Sequence, residues 1–255
     1  MNSLARIRAL VAVGIVCLLT GCVAPPQEPI ALDSRGLLVE NARVGLKFQI
    51  GDEASLQMPG ADCLLCLAAA AAANGALSDH AKTLDLADLA SLESELINTL
   101  QSQGVNAVLI DDETEISKLP KFKGAEENSA ERDYREFASK NEIDQLLVVN
   151  IGHAGILRPY SGYIATAAPS AVVRGAAFLV DSATNTYSWY LPISNFLEAD
   201  GEWKEAPDYP GLTNAYYQVV EQARDDILGP MSDLQASARP RPVIDETATD
   251  ETEAQ

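Results

Sequence analysis

Cys63 and Cys66 are separated by two leucines, a spacing at which two thiols can bond to each other. Asp62 stands where it would cap a helix beginning at Cys63, and the amino terminus of a helix stabilises a thiolate. Three interpretations remain open: a structural disulfide, two free buried thiols, and thiol-disulfide redox catalysis. Because the flanking leucines and alanines indicate burial, which opposes reactivity, we expect a static disulfide that shapes the start of an alanine-rich helix.

Other residue types typical of catalysis or metal binding are scarce. The two histidines, His80 and His153, leave little room for a zinc site or for a Ser-His-Asp or Cys-His arrangement. The acidic run at 111–113 follows a short apolar segment and could bind a cation, although such a run is more often a solvated turn. We therefore predict no enzymatic activity, no cofactor and no metal site.

Cys22 closes the sequence Leu-Thr-Gly-Cys at 19–22, which matches the bacterial lipobox pattern Leu-[Ala/Ser/Thr]-Gly-Cys. Two arginines and an apolar run at 9–19 precede it, a layout typical of a secretory signal peptide and too short to span a bilayer. We predict that residues 1–21 are removed and that lipid on Cys22 anchors the mature chain to a membrane. An ordinary signal peptide with a chance cysteine is the alternative.

The charge of the chain excludes some partners. Lys plus Arg number 18 against 37 for Asp plus Glu, a net charge of -19, and removing Arg6 and Arg8 with the leader gives 16 minus 37, or -21. Binding to nucleic acid through a basic patch is therefore not expected, and anionic lipid would repel the body. In bacterial lipoproteins a residue other than Asp after the cysteine favours the outer membrane, and here it is Val23, so we expect an outer-membrane anchor facing the periplasm.

The chain divides by composition into four parts. The signal peptide (1–21) precedes a lipidated, proline-rich tether (22–38), and a 47% hydrophobic content supports a single folded domain at 39–232. Residues 233–255 are acidic, with hardly a large apolar residue, and are predicted to be disordered.

The periodicity of apolar residues predicts the element order β-α-β-α-β-β-β-α, a mixed sheet with helices packed on it, in the α+β or α/β class. The predicted strands are 44–50, 105–110, 145–151, 171–180 and 186–193, of which 145–151 is expected at the sheet centre. Three helices are predicted. The first begins at Asp85 and has Gly104 as its carboxy-terminal cap, and the second runs from Ser129 to Lys140. The third runs from Leu212 to Leu228 and is stopped by Gly229-Pro230.

Two further segments have open interpretations. Residues 67–73 continue the cysteine motif as an alanine-rich helix whose small side chains allow close packing, either within the domain or against a second subunit. Residues 152–171, with Tyr160 and Tyr163, are long for a plain loop. They are either a functional loop that contacts a partner or a strand with an irregular edge.

The hairpin sequence Phe-Leu-Val-Asp-Ser-Ala-Thr-Asn-Thr-Tyr-Ser-Trp at 178–189, with the lipobox and the element order, resembles bacterial outer-membrane lipoproteins with the TolB amino-terminal-domain fold. That group includes the curli-secretion lipoprotein and the lipoprotein activators of penicillin-binding proteins. Its hairpins tend to read apolar-Val-Asp-x-x-Thr-Gly-x-apolar-x-Trp, and Asn185 stands here where Gly is usual. Asn tolerates a positive φ. Phe178 and Trp189 are expected on facing strands with their apolar faces inward.

The resemblance implies a non-enzymatic lipoprotein that acts by protein-protein contact, as an accessory or assembly factor in the envelope, alone or as a homo-oligomer. Its partner would be another envelope protein that the sequence does not identify. Two alternatives belong to other classes: a thiol-disulfide redox protein using Cys63 and Cys66, and a subunit of an export pore.

Overall fold

The structure is a computed structural model that describes residues 26–124 and 126–237. The predicted signal peptide, the predicted lipidation site Cys22 and residues 238–255 of the predicted tail lie outside the described residues.

A mixed β-sheet forms the centre of the molecule. The strands are β1 (Arg43–Ile50), β2 (Ser55–Gln57), β3 (Asn106–Leu109), β4 (Gln145–Leu157), β5 (Tyr160–Ser161), β6 (Ile164–Ala165), β7 (Ser170–Asp181) and β8 (Thr186–Glu198). The sheet order is β3-β1-β4-β7-β8, and β2 pairs with the far part of β4, beyond the end of β1. The pairs among β1, β2, β3 and β4 are parallel, whereas β7 is antiparallel to both β4 and β8. Strands β5 and β6 form a small separate hairpin.

The helices are α1 (Ser34–Leu37), α2 (Leu64–Ala73), α3 (Gly75–Ala81), α4 (Ala87–Ser102), α5 (Arg135–Lys140), α6 (Pro210–Ser232) and α7 (Leu234–Ser237), with one 3-10 turn at Ile116–Lys118. None of these helices has the length and apolarity needed to cross a membrane, within the residues that the structure describes.

Strand β4 is buried on both faces, as predicted for the sheet centre. Leu147 and Val149 belong to the larger core cluster, which includes residues of α4 and α6, whereas Leu146 and Val148 belong to a second cluster that includes residues of α5. Successive side chains of a strand point to opposite faces, so one apolar run serves both clusters. The structure thus confirms the prediction of a mixed sheet with helices packed on it.

The β7-β8 hairpin turns tightly at the predicted residues, and Asn185 has a φ of 59°. Phe178 and Trp189 are both buried on facing strands, as predicted, but their side chains point to opposite faces of the sheet. Trp189 pairs with Leu179 and packs in the larger cluster, while Phe178 pairs with Tyr190 and packs in the second. Because both faces of the sheet are covered, opposite orientations are equally buried.

Two predicted helix boundaries are wrong by more than two residues. Helix α5 begins at Arg135 instead of Ser129, because the backbone at 129–130 pairs with the start of β8 and its turn. Helix α6 continues past Gly229-Pro230 to Ser232. Met231 and Leu234 beyond the proline are fully buried, and their burial offsets the loss of one helical hydrogen bond.

Two strands and both ends of the domain also extend well beyond the predictions. Strand β4 continues to Leu157, where it pairs with β2, and β8 continues to Glu198 along β7. Ile30 pairs with Tyr190, and Leu37 is buried within the predicted tether. Since Leu234 is buried as well, the packed body extends past both predicted boundaries, 39 and 232.

Candidate functional site

Cys63 and Cys66 form a disulfide, one of the three arrangements that the sequence left open. The predicted cap of the following helix is wrong, because Cys63 itself, and not Asp62, is the N-cap of α2. Its Sγ accepts the backbone N–H of Cys66 at 2.9 Å. Cys63 is exposed and Cys66 is buried. One sulfur of the disulfide is therefore on the surface and the other is beneath it.

The leucines around the disulfide are exposed, so the prediction that they are buried is wrong. Leu64 is 88% exposed and Leu65 is 73% exposed, and Leu67 is also exposed. Helix α2 buries only Cys66 and Ala70, which form a small cluster with Ala61 and Tyr160. The helix is apolar on every side but contacts the domain along one narrow strip, and its remaining apolar surface stays uncovered.

The β5-β6 hairpin lies beside the start of α2. The N–H of Gly162 donates to the carbonyl oxygen of Gly60 at 3.0 Å, and the hydroxyl oxygen of Tyr163 lies 3.8 Å from the Sγ of Cys63. Tyr163 and Ile164 are exposed at its tip, Ile164 by 72%. The exposed side chains around Cys63 form what we call the leucine-tyrosine surface: Leu64, Leu65, Leu67, Tyr163 and Ile164.

This surface has no charged residue in either segment that builds it. The ranges 63–78 and 159–173 contain no Asp, Glu, Lys or Arg, although 22% of the whole chain is charged. Soluble proteins seldom expose several large apolar side chains together unless the patch binds something. The absence of charge is visible in the sequence and marks both segments as apolar, but it does not by itself distinguish exposed from buried side chains.

Asn74 holds the surface in place from below. Its buried Nδ2 donates to the carbonyl oxygen of Ala70 and to the hydroxyl of Tyr160, each at 2.6 Å, and its Oδ1 accepts from the guanidinium of Arg158. Arg158 also lies over the ring of Trp203, 4.8 Å from its centroid. The side chain of Asn74 thus joins the end of α2, the β5-β6 hairpin and the end of β4, so the surface is built on fixed elements.

The histidines have structural surroundings. Burial lowers the pKa of His153, whose Nδ1 lies 3.5 Å from the Oγ of Ser55. Burial also lowers the pKa of His80, whose Nε2 lies 2.9 Å from the Oγ1 of Thr213. Within 26–124 and 126–237 neither ring is hydrogen-bonded to a carboxylate. The arrangement thus resembles packed, neutral histidines more than an acid-base pair.

The acidic run forms a locked turn. Asp112 accepts from the Nζ of Lys140 at 2.8 Å and from the backbone N–H of Thr114 at 2.8 Å, and these bonds, that of Lys140 foremost, hold the pKa of its carboxyl well below its usual range. Among the described residues no group of three or more His, Cys, Asp or Glu side chains is arranged to hold a metal ion. Asp112 has a local role in joining this turn to α5.

No protein-family model matches the chain, and no curated protein matches it. Among solved structures it is similar to a PelC dodecamer from Paraburkholderia phytofirmans, at 12% identity and a TM-score of 0.27, over 81% of this chain and 94% of that one. A PelC variant dodecamer from the same organism gives a TM-score of 0.28 at the same identity and coverage. A third structure, described as an uncharacterized protein, has 11% identity and a TM-score of 0.24 over 78% of this chain and 96% of that chain. TM-scores this low do not establish a shared fold.

Proposed function

We propose that this chain is a lipoprotein of the outer membrane, anchored through Cys22, facing the periplasm and sharing the fold of the TolB amino-terminal-domain group. It acts by protein-protein contact as an accessory or assembly factor of the envelope. The observation that carries the contact function is the leucine-tyrosine surface. Five large apolar side chains stand exposed there on fixed elements, in segments without charge.

The position of the surface relative to the tether supports a protein partner. Ile30 pairs with Tyr190, which is level with Phe178 and hence with Val148 of β4. From that level to the end of β4 at Leu157, nine steps of about 3.3 Å give a distance of roughly 30 Å. The eight residues from Cys22 to Ile30 span at most about 28 Å when fully extended. With the sheet upright, holding the surface against the bilayer would therefore require a fully extended tether, which disfavours the membrane as its occupant.

The composition of the surface also suits a protein interface. Interface centres are depleted in charge and enriched in aromatic residues, and charged residues lie at their rim. Tyr163 and the leucines have this central character, while Asp62 lies at the edge. The mature charge of -21 would in addition repel anionic lipid, which makes the membrane a poor occupant of the same surface.

The contact can be tested by placing a photo-crosslinking amino acid at Leu65 of the full chain in the bacterial cells that produce it. The matched control position is Val39, which is 52% exposed but lies outside the surface. We expect an adduct with a different protein from position 65 and none from position 39. Adducts only with lipid, or equal yields at both positions, would contradict the proposal. An adduct with a second copy of the chain would replace it by self-assembly, which includes the export-pore alternative.

The anchor is tested separately through Cys22→Ser. The variant should remain an unlipidated precursor and move from the detergent phase to the aqueous phase, because acyl chains supply the anchoring free energy at about 0.8 kcal/mol per buried methylene. The control is Cys17→Ser, five residues earlier in the predicted leader, which should still partition into detergent. Acyl modification at another residue of Cys22→Ser would show that the lipobox interpretation is wrong.

A further inference from the structure

The disulfide sulfur of Cys63 lies within the leucine-tyrosine surface. Cys63 is exposed, and the exposed Leu64, Leu65 and Tyr163 surround it. Any protein segment that covers this surface therefore passes next to a disulfide. Access decides whether a disulfide can exchange, and here one sulfur is accessible whereas the other belongs to the small buried cluster.

The exposure of Cys63 makes it the sulfur that a partner can reach, and the local backbone favours its later release from the mixed disulfide as a thiolate. The N–H of Cys66 donates to the Sγ of Cys63 at 2.9 Å, a bond that would stabilise negative charge on that sulfur. Helix α2, ten residues long, starts directly after Cys63. Asp62, the neighbouring acid, acts in the opposite direction by repulsion. The burial that favoured an inert disulfide in the sequence is present for Cys66 but not for Cys63.

We propose that Cys63 exchanges disulfides with a cysteine of a partner polypeptide whose flanking residues are apolar, and that the leucine-tyrosine surface seats this segment. This inference rests on the proposed contact function, because the exchange takes place at the same surface. It adds the chemical class of the partner, an apolar segment that contains a pair of thiols.

The exchange is balanced in two steps. A partner thiolate attacks the Sγ of Cys63, a bond forms between these sulfurs, the Cys63–Cys66 bond breaks, and the electron pair leaves on Cys66, which takes up a proton. The second partner thiolate then attacks the partner's own sulfur in the mixed disulfide, and Cys63 leaves as a thiolate. The partner dithiol is oxidised by two electrons to a disulfide, and the Cys63–Cys66 disulfide is reduced to two thiols.

The test uses full chains in which Cys17→Ser and Cys22→Ser leave only the motif cysteines. Cys66→Ser then has a free thiol at position 63, and Cys63→Ser has one at position 66. Each reacts with a synthetic peptide whose single cysteine carries a pyridyl disulfide, flanked either by leucines or by serines, and the released thiopyridone is followed by absorbance. Dithiodipyridine, a small neutral disulfide, measures the intrinsic reactivity of each thiol.

We expect the thiol at position 63 to react at least about tenfold faster than the thiol at position 66, because only the first is exposed. It should also prefer the leucine peptide over the serine peptide by about tenfold or more, which corresponds to about 1.4 kcal/mol of binding. Adding Leu64→Ser and Leu65→Ser should remove that preference while the rate with dithiodipyridine stays the same.

Equal rates at the two positions, or no preference between the peptides, would overturn the inference. Its failure is distinguishable from failure of the contact function, since a protein adduct at position 65 in cells does not depend on thiol chemistry. Conversely, fast and selective exchange without a protein adduct would remove the contact function in cells and leave the reactivity intact.

Discussion

The two turns at the opposite ends of β7 differ in what they leave exposed. At one end, the carboxylate of Asp181 accepts the N–H groups of Ala183 and Thr184 at 3.0 and 2.8 Å, and the side chain of Asn185 is fully buried with its polar atoms bonded. At the other end, before Ser170, the β5-β6 hairpin leaves Tyr163 and Ile164 uncovered beside the exposed leucines of α2.

The first turn contributes to the stability of the fold, whereas the second contributes to contact with a partner. In the first turn, buried polar groups are satisfied inside the chain, so that removing one leaves its partners unbonded and costs stability. In the second, the large side chains reach into solvent, so removing them costs the fold little. Substitutions at the two ends should therefore affect different measurements.

The largest expected effect on stability belongs to the core next to the β7-β8 turn. Trp189 is only 3% exposed and packs in the larger cluster, so Trp189→Ala should lower the free energy of unfolding by about 3 to 5 kcal/mol. Urea unfolding of the full chain measures this, with the exposed Phe196→Ala as the control. A loss below about 1 kcal/mol for Trp189→Ala would mean that the tryptophan is not a core residue.

Next in size is the amide of Asn185. Its Oδ1 accepts the N–H of Tyr134 at 2.8 Å and its Nδ2 donates to the carbonyl oxygen of Arg132 at 2.9 Å. Asn185→Ala should cost about 1 to 3 kcal/mol, because buried groups lose their partners. Asn185→Gly keeps the backbone freedom for the positive φ of 59° and isolates the two bonds.

We expect urea unfolding to show that Asn185→Gly still has a clearly lower free energy of unfolding than the wild type. Wild-type stability in that variant would show that the turn needs only the backbone conformation and that the amide contributes nothing.

Acid should lower the free energy of unfolding through His153, which lies on β4 and pairs with Arg174 in the middle of β7. Burial lowers its pKa in the folded state, so below about pH 6.5 the unfolded chain binds more protons and stability falls as pH falls. One such group changes the unfolding free energy by at most about 1.4 kcal/mol per pH unit. Urea unfolding at pH 7.5 and 5.5 should show a smaller loss in His153→Gln than in the wild type, and an equal or larger loss would contradict a depressed pKa.

The smallest effect on stability belongs to the leucine-tyrosine surface. Replacing Leu64 and Leu65 by serine should change the free energy of unfolding by no more than about 0.5 kcal/mol, because both side chains are already in solvent. Urea unfolding provides the measurement. A loss above about 2 kcal/mol would show that these leucines are part of the core, and the comparison between the two turns would fail.

The elements that the sequence predicted correctly are those where local pattern and tertiary environment agree. The apolar run of β4 and the turn residues Asp181 and Asn185 each specify their own conformation. The segment before α5 did not follow its pattern, because Ser129 suits a helix cap but its backbone pairs with β8 instead. Such long-range pairing has no local signal.

The sequence identified residues of the candidate site, but it did not show that their side chains are exposed. The cysteine spacing indicated a disulfide among other possibilities, and residues 152–171 were noted as a segment that could contact a partner. The exposure of Leu64 and Leu65 could not be inferred, since an apolar run looks the same in sequence whether its cover comes from the same chain or from another protein. The role of Asn74 depends on Tyr160 and Arg158, which are more than eighty residues away.

The central claim is that the leucine-tyrosine surface binds a partner protein, and one measurement tests it most directly. A photo-crosslinker at Tyr163 reports contact at the hairpin, while Leu64→Asp places a charge in the neighbouring part of the surface. We predict that Leu64→Asp lowers the yield of the protein adduct from position 163 by about tenfold or more, equivalent to about 1.4 kcal/mol of binding, while Val39→Asp leaves the yield unchanged. An unchanged yield with Leu64→Asp, or an equal loss with Val39→Asp, would contradict the claim.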